Sequence, residues 1–224
     1  MRLKIGELIQ KGEKLSYAKE DAPLPEGATD CSAGYNPYGA PPAALEALKG
    51  LQPSEVYAYP HGMFLQDAIV KFWVPHAALK RENVLLTDGS IDGIYLTNAA
   101  FAAPGAAVLA VSPQFSDYVA HAKFMNIEYR PVRLDAAKGY RVEPEPLLRE
   151  INGGLSLVYL DNPNNPTGQA IPLETLRAVA DRAAQHDVCV IADEAYADFM
   201  EESQSAATLL PEYENLIVLR TFSK

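Results

Sequence analysis

Residues 155–168 run Leu155-Ser156-Leu157-Val158-Tyr159-Leu160-Asp161-Asn162-Pro163-Asn164-Asn165-Pro166-Thr167-Gly168. The first six form a short, nearly unbroken apolar run, the pattern of a strand covered on both faces. Two Asn-Pro dipeptides follow in close succession, and each proline keeps the residue before it out of helical geometry, so the strand exits into a rigid turn. A turn needs only one Asn or Gly. This density of special residues points to a side chain held for a ligand, and the Asn165 amide can donate to an acceptor oxygen.

Working outward, Leu173 to His186 places Leu176, Val179, Ala180 and Ala183 on one face of a helix. Val188-Cys189-Val190-Ile191-Ala192 and Leu216-Ile217-Val218-Leu219 are further apolar strands on the carboxyl side. On the amino side, Ala107 to Val111, Ile127 to Tyr129 and Asn83 to Thr87 are strand candidates. Strand–helix–strand units repeated at this spacing predict an α/β fold, a three-layer α-β-α arrangement around a mostly parallel sheet. Such sheets bind ligands beyond the carboxyl ends of their strands, which is where chemistry is sought.

At the first of those ends, Thr87-Asp88-Gly89-Ser90-Ile91-Asp92-Gly93 turns from strand to helix. Free N–H groups and the positive end of a helix dipole make such a turn a phosphate site, although a plain glycine turn with Ser90 as N-cap reads equally well. Phe115 follows the next strand and either covers a planar ring or belongs to the core. Asp193 directly follows a buried strand, a costly position unless a positive group such as a protonated ring nitrogen meets it; capping of the next helix is the plainer reading. Lys224 ends Arg220-Thr221-Phe222-Ser223-Lys224 beyond the last strand, where an amine with a lowered pKa can attack a carbonyl; as an isolated residue it carries no message.

Composition narrows the function classes. A chain of 224 residues with 48% hydrophobic content can bury a sizeable core, and a formal charge of −10 disfavours nucleic acid and anionic membranes as partners. The N-terminal residues lack a signal-type apolar stretch, no run reaches the ~18 apolar residues of a membrane span, and a cytoplasmic location is expected. Cys31 and Cys189 stand far apart, as reduced thiols do, and His61, His76, His121 and His186 have no ligand spacing, so no metal is expected. The glycine fingerprints of dinucleotide and triphosphate binding are missing, as is a G-x-S-x-G elbow.

Together the stations resemble the fold-type I pyridoxal-phosphate enzymes, specifically class I/II aminotransferases of the histidinol-phosphate branch. The resemblance is carried by Asn36-Pro37-Tyr38-Gly39, Tyr59-Pro60, Gly89-Ser90-Ile91-Asp92-Gly93, Asn164-Asn165-Pro166-Thr167-Gly168, Asp193-Glu194-Ala195-Tyr196 and Thr221-Phe222-Ser223-Lys224, in the family's order. It implies Lys224 as the Schiff-base lysine and proton shuttle, Asp193 as partner of the pyridine nitrogen, and Asn165 and Tyr196 as donors to the ring's phenolic oxygen. Phe115 would stack on the ring, Gly89, Ser90, Ile91 and Thr221 would hold the phosphate, and Tyr38 would close over the substrate. Tyr59 would reach the neighbouring subunit's phosphate, which implies a homodimer with shared sites.

The implied division is an arm with part of a small domain at 1–45 and a coenzyme-binding large domain at 46–224. The family's Gly-rich stretch, second phosphate arginine and carboxylate-binding small domain would lie beyond Lys224, so the sequence is expected to be part of a longer protein. The implied activity is transfer of an amino group from an amino acid, or an amino-alcohol phosphate such as histidinol phosphate, to a 2-oxo acid. A lyase or decarboxylase on the same scaffold, or a non-catalytic binding module, would keep the same motifs.

Overall fold

The computed structural model describes residues 25–29, 36, 38–59, 64–102 and 105–224. Most of the expected arm, including Pro37, and also Cys31, Pro60 and His61 lie outside the described residues.

Among the described residues three helices come first. They are α1 (Pro42–Lys49), α2 (Pro53–Tyr57) and α3 (Phe64–Trp73). Prolines at the first helical position start α1 and α2, where a missing N–H costs nothing, and Gly50 follows α1 at its C-cap. Helix α4 (Gly89–Phe101) leads into β1 (Ala107–Ser112), α5 (Ser116–Phe124) and β2 (Glu128–Arg133). Then follow α6 (Pro144–Glu150), β3 (Leu155–Asp161), α7 (Leu173–Ala184), β4 (Cys189–Asp193) and β5 (Leu216–Leu219).

The strands form one sheet in the order β2-β1-β3-β4-β5, and every pairing is parallel. Side chains alternate along each strand and so feed two cores. Leu109, Val158, Leu160 and Val190 pack with Leu147, Leu176 and Val179 of α6 and α7. On the opposite face Val108, Leu157, Tyr159 and Ile191 pack with Ile94 of α4 and Tyr118 of α5. The expected three layers are therefore present, with both faces of the sheet covered.

One expected strand is not. Asn83 closes a 3-10 turn (Arg81–Asn83), and residues 84–87 form no ladder. Leu85 is 77% exposed. A strand is stable only when a neighbour takes its N–H and C=O groups, and no strand of the sheet pairs with this stretch among the described residues. Its apolar pattern alone cannot supply that partner.

Candidate active site

All strands point the same way, so their carboxyl ends share one edge of the sheet. There the residues that follow β1, β3, β4 and β5 meet the start of α4 around a cavity of about 670 Å³. Gly89, Ser90, Ile91, Phe115, Asn165, Asp193, Tyr196, Thr221 and Lys224 all line it. Tyr38 and Tyr59 do not, and their side chains are 96% and 85% exposed.

At one end, Gly89 has φ +77°, a conformation that favours glycine, and it lets the chain reverse directly into α4. The residue before the helix is Asp88, whose side chain makes no capping bond and whose N–H bonds the Asp92 carboxylate (3.2 Å), so Ser90 is a pocket residue and not the cap. An uncapped N-terminus of a thirteen-residue helix leaves N–H groups and a positive dipole end for an anion. Gly93, one turn on, faces β5 closely: a Cβ there would sit 3.0 Å from Leu219 Cδ2. Its missing side chain lets α4 lie against the strand that leads to Lys224.

The middle of the cavity is acidic. Asp161 and Asp193 are register partners on β3 and β4, and both are buried. Asp161 accepts hydrogen bonds from the N–H groups of Phe115 (3.2 Å) and Asn165 (3.0 Å) and from the Asn164 amide (2.8 Å). One carboxylate thus ties the loop carrying the aromatic to the loop carrying the amide. Burial outweighs these bonds and pushes its carboxyl up to about 7, with the Asp193 charge adding to the effect. Asp193 accepts from the Tyr159 hydroxyl (2.5 Å) and the Ala195 N–H (3.1 Å), and burial raises its carboxyl too. Neither has a cationic partner among the described residues. Asp193 caps no regular helix, since the short 3-10 turn that follows (Ala197–Phe199) starts after Tyr196.

Glu194, also buried, turns away from the cavity. It accepts from Ser205 Oγ, the Ala206 N–H and Arg220 and so fastens the end of β4 to the segment after β5. Arg220 also bonds Asp198 and lies over the Trp73 ring, 5.5 Å from its centroid. Thr221 and Ser223 share a hydrogen bond of 2.9 Å beside the cavity. Beyond them the Lys224 ammonium lies 5.1 Å from the centre of the Tyr196 ring.

Tyr159, Asp161 and Glu194 have no assigned role in the sequence reading. A tyrosine inside an apolar strand looks like core, and only the register of β3 against β4 brings it to Asp193.

The family profile for aminotransferase class I and II matches residues 27–224. The chain belongs to the class I and II aminotransferases. It is 35% identical over 205 residues to a histidinol-phosphate aminotransferase of Halorubrum lacusprofundi, covering 89% of this chain and 53% of that protein. It is 31% identical over 218 residues to the enzyme of the same name from Geobacillus thermodenitrificans, covering 96% and 57%. Among solved structures, an aminotransferase from Mycobacterium tuberculosis superposes with a TM-score of 0.74 at 26% identity, over 86% of this chain and 51% of that one. The chain spans little more than half the length of these relatives.

Class I and II aminotransferases use pyridoxal phosphate, and the residues present suit that group. Two buried carboxyl groups without a cation match a protonated ring nitrogen, and the uncapped helix end matches a phosphate. Among the described residues no helix is long and apolar enough to cross a membrane, and no cluster of His, Cys, Asp and Glu could hold a metal ion.

Proposed function

We propose that this chain supplies the coenzyme-binding part of an aminotransferase that moves an amino group between an amino acid, or an amino-alcohol phosphate such as histidinol phosphate, and a 2-oxo acid. The observation that carries the proposal is the meeting of Lys224, Asp193, Asn165, Tyr196 and the Gly89 turn in one cavity at the carboxyl edge of a parallel sheet.

Bound there, pyridoxal phosphate supplies an aldehyde that condenses with amines and a ring that accepts electrons from the carbon beside the nitrogen. The Lys224 amine would hold the aldehyde, and its Nζ would be the group that moves a proton from the substrate's α-carbon. Asp193 keeps the ring nitrogen protonated, and in a site screened from water its charge acts at greater strength than in bulk solvent. Asn165 and Tyr196 would donate to the phenolic oxygen, Phe115 would cover the ring, and Gly89, Ser90, Ile91 and Thr221 would hold the phosphate.

The role assigned to Tyr59 is to complete the phosphate site of a neighbouring copy, and Tyr38 is assigned to the substrate. Both residues are exposed and neither lines the cavity of its own chain, which supports these assignments. Residues 46–224 then form the large domain and 1–45 an arm with part of the small domain, in a cytoplasmic homodimer. The names of the similar proteins support an aminotransferase over a lyase or decarboxylase.

The test is the visible spectrum of the complete protein with pyridoxal phosphate, before and after adding a panel of amino donors that includes histidinol phosphate. A yellow band bleached by particular donors is expected. A protein that stays colourless after reconstitution would overturn the proposal.

A further inference from the structure

Tyr159 occupies an interior position of β3, flanked by Val158 and Leu160 and fully buried. An aliphatic residue would fill a position in such a strand without difficulty. A hydroxyl buried there costs free energy unless it finds a partner. Its partner is the carboxylate that lines the cavity: the phenol donates to Asp193 Oδ2 at 2.5 Å.

The geometry follows from the ladder. Tyr159 is register partner of Ile191, and Asp193 is two residues further along β4, on the same face. The phenol spans that step, and its ring is held against Tyr118 of α5, with centroids 3.6 Å apart and planes 12° from parallel. Among the described residues the Tyr118 hydroxyl has no hydrogen-bond partner, so Tyr118 contributes its ring surface alone.

We propose that Tyr159 is a positioning residue for the coenzyme's ring nitrogen, acting through Asp193: its hydroxyl fixes the carboxylate's orientation and keeps it ionised opposite the ring. The proposal rests on the pyridoxal-phosphate site described above. Asp193 has one protein donor on each oxygen, Ala195 N–H on Oδ1 and Tyr159 on Oδ2. Both donors favour the charged form, while burial opposes it. Loss of the Tyr159 bond leaves burial opposed by one donor only. The carboxyl becomes more basic, the proton it shares with the ring nitrogen moves toward the carboxyl, and the ring loses part of its capacity to accept electrons.

The experiment uses the complete protein loaded with pyridoxal phosphate labelled with 15N in the ring, and reads the ring-nitrogen chemical shift together with kcat and KM. Tyr159→Phe keeps the ring stack and removes only the hydroxyl; Tyr118→Phe removes a hydroxyl that bonds nothing. In Tyr159→Phe the shift is expected to move from the protonated toward the unprotonated value. Its kcat is expected to fall about tenfold, the size of one lost hydrogen bond to a charged group, with KM little changed. Tyr118→Phe is expected to match wild type. Tyr159→Phe with a wild-type shift and kcat would overturn the proposal, as would an equal displacement in Tyr118→Phe, which would assign the effect to packing. A wild-type protein that takes up no coenzyme would overturn the site assignment and this proposal together.

Discussion

Asp161 and Asp193 end adjacent parallel strands in direct register, which sets two buried carboxyl groups side by side at the edge of the cavity. Two such groups oppose one another's ionisation. They are tolerated because five hydrogen bonds reach them, three on Asp161 and two on Asp193. A cationic ring nitrogen would relieve them further.

The pair has a consequence for stability without coenzyme. The Asp161 carboxyl is raised to about 7, above its usual 3.8. The folded state therefore holds a proton that the unfolded state releases between those values, and stability falls as pH rises from about 4 to about 7. Thermal melts of the complete apo-protein are expected to show that decline. Asp161→Asn, which has no carboxyl to ionise, is expected to flatten it and also to weaken coenzyme binding, because an amide cannot accept from all three donors.

Gly93 separates backbone preference from packing. Alanine is worth up to ~1 kcal/mol over glycine inside a helix, while overpacking costs ~1–3 kcal/mol. A Cβ 3.0 Å from the movable end of Leu219 belongs at the low end of that cost. Gly93→Ala is therefore expected to be near neutral in urea unfolding. Gly93→Val, with two further methyl groups, is expected to lose ~2 kcal/mol and to weaken coenzyme binding by shifting α4. Coenzyme titration by fluorescence measures the second effect.

On the far face of the sheet, Leu176 of α7 is 1% exposed and remote from the cavity lining. Leu176→Ala is expected to cost ~2–5 kcal/mol of stability. Below its unfolding transition the variant should keep the wild-type coenzyme spectrum, which absorbance and denaturant titration on one sample will check.

Lys224→Ala in the complete protein is expected to abolish turnover while far-UV circular dichroism stays unchanged, since a cavity-lining residue beyond β5 contributes little to the core. Normal transamination by this variant would remove Lys224 from its assigned role.

The layers were legible because buried parallel strands leave unbroken apolar runs and α7 carries a regular apolar stripe. The pocket lining was legible because Gly, Asn-Pro, Asp and Lys interrupt those runs at strand ends, where a core has no use for them. Residues 84–87 misled because an apolar run specifies a buried strand only where a neighbouring strand exists. Tyr159 and Asp161 stayed hidden for another reason: their roles depend on which residue of β4 stands opposite, and that register is a property of the folded sheet. Glu194 was visible within its motif, but its partners Ser205, Ala206 and Arg220 are distant in sequence.

The most direct test of the central claim is to load the complete protein with pyridoxal phosphate, reduce it with borohydride, and map the modified residue by peptide mass spectrometry. One pyridoxyl group per chain, on Lys224, is expected. Labelling at another lysine, or no covalent label on a protein that binds the coenzyme, would contradict it.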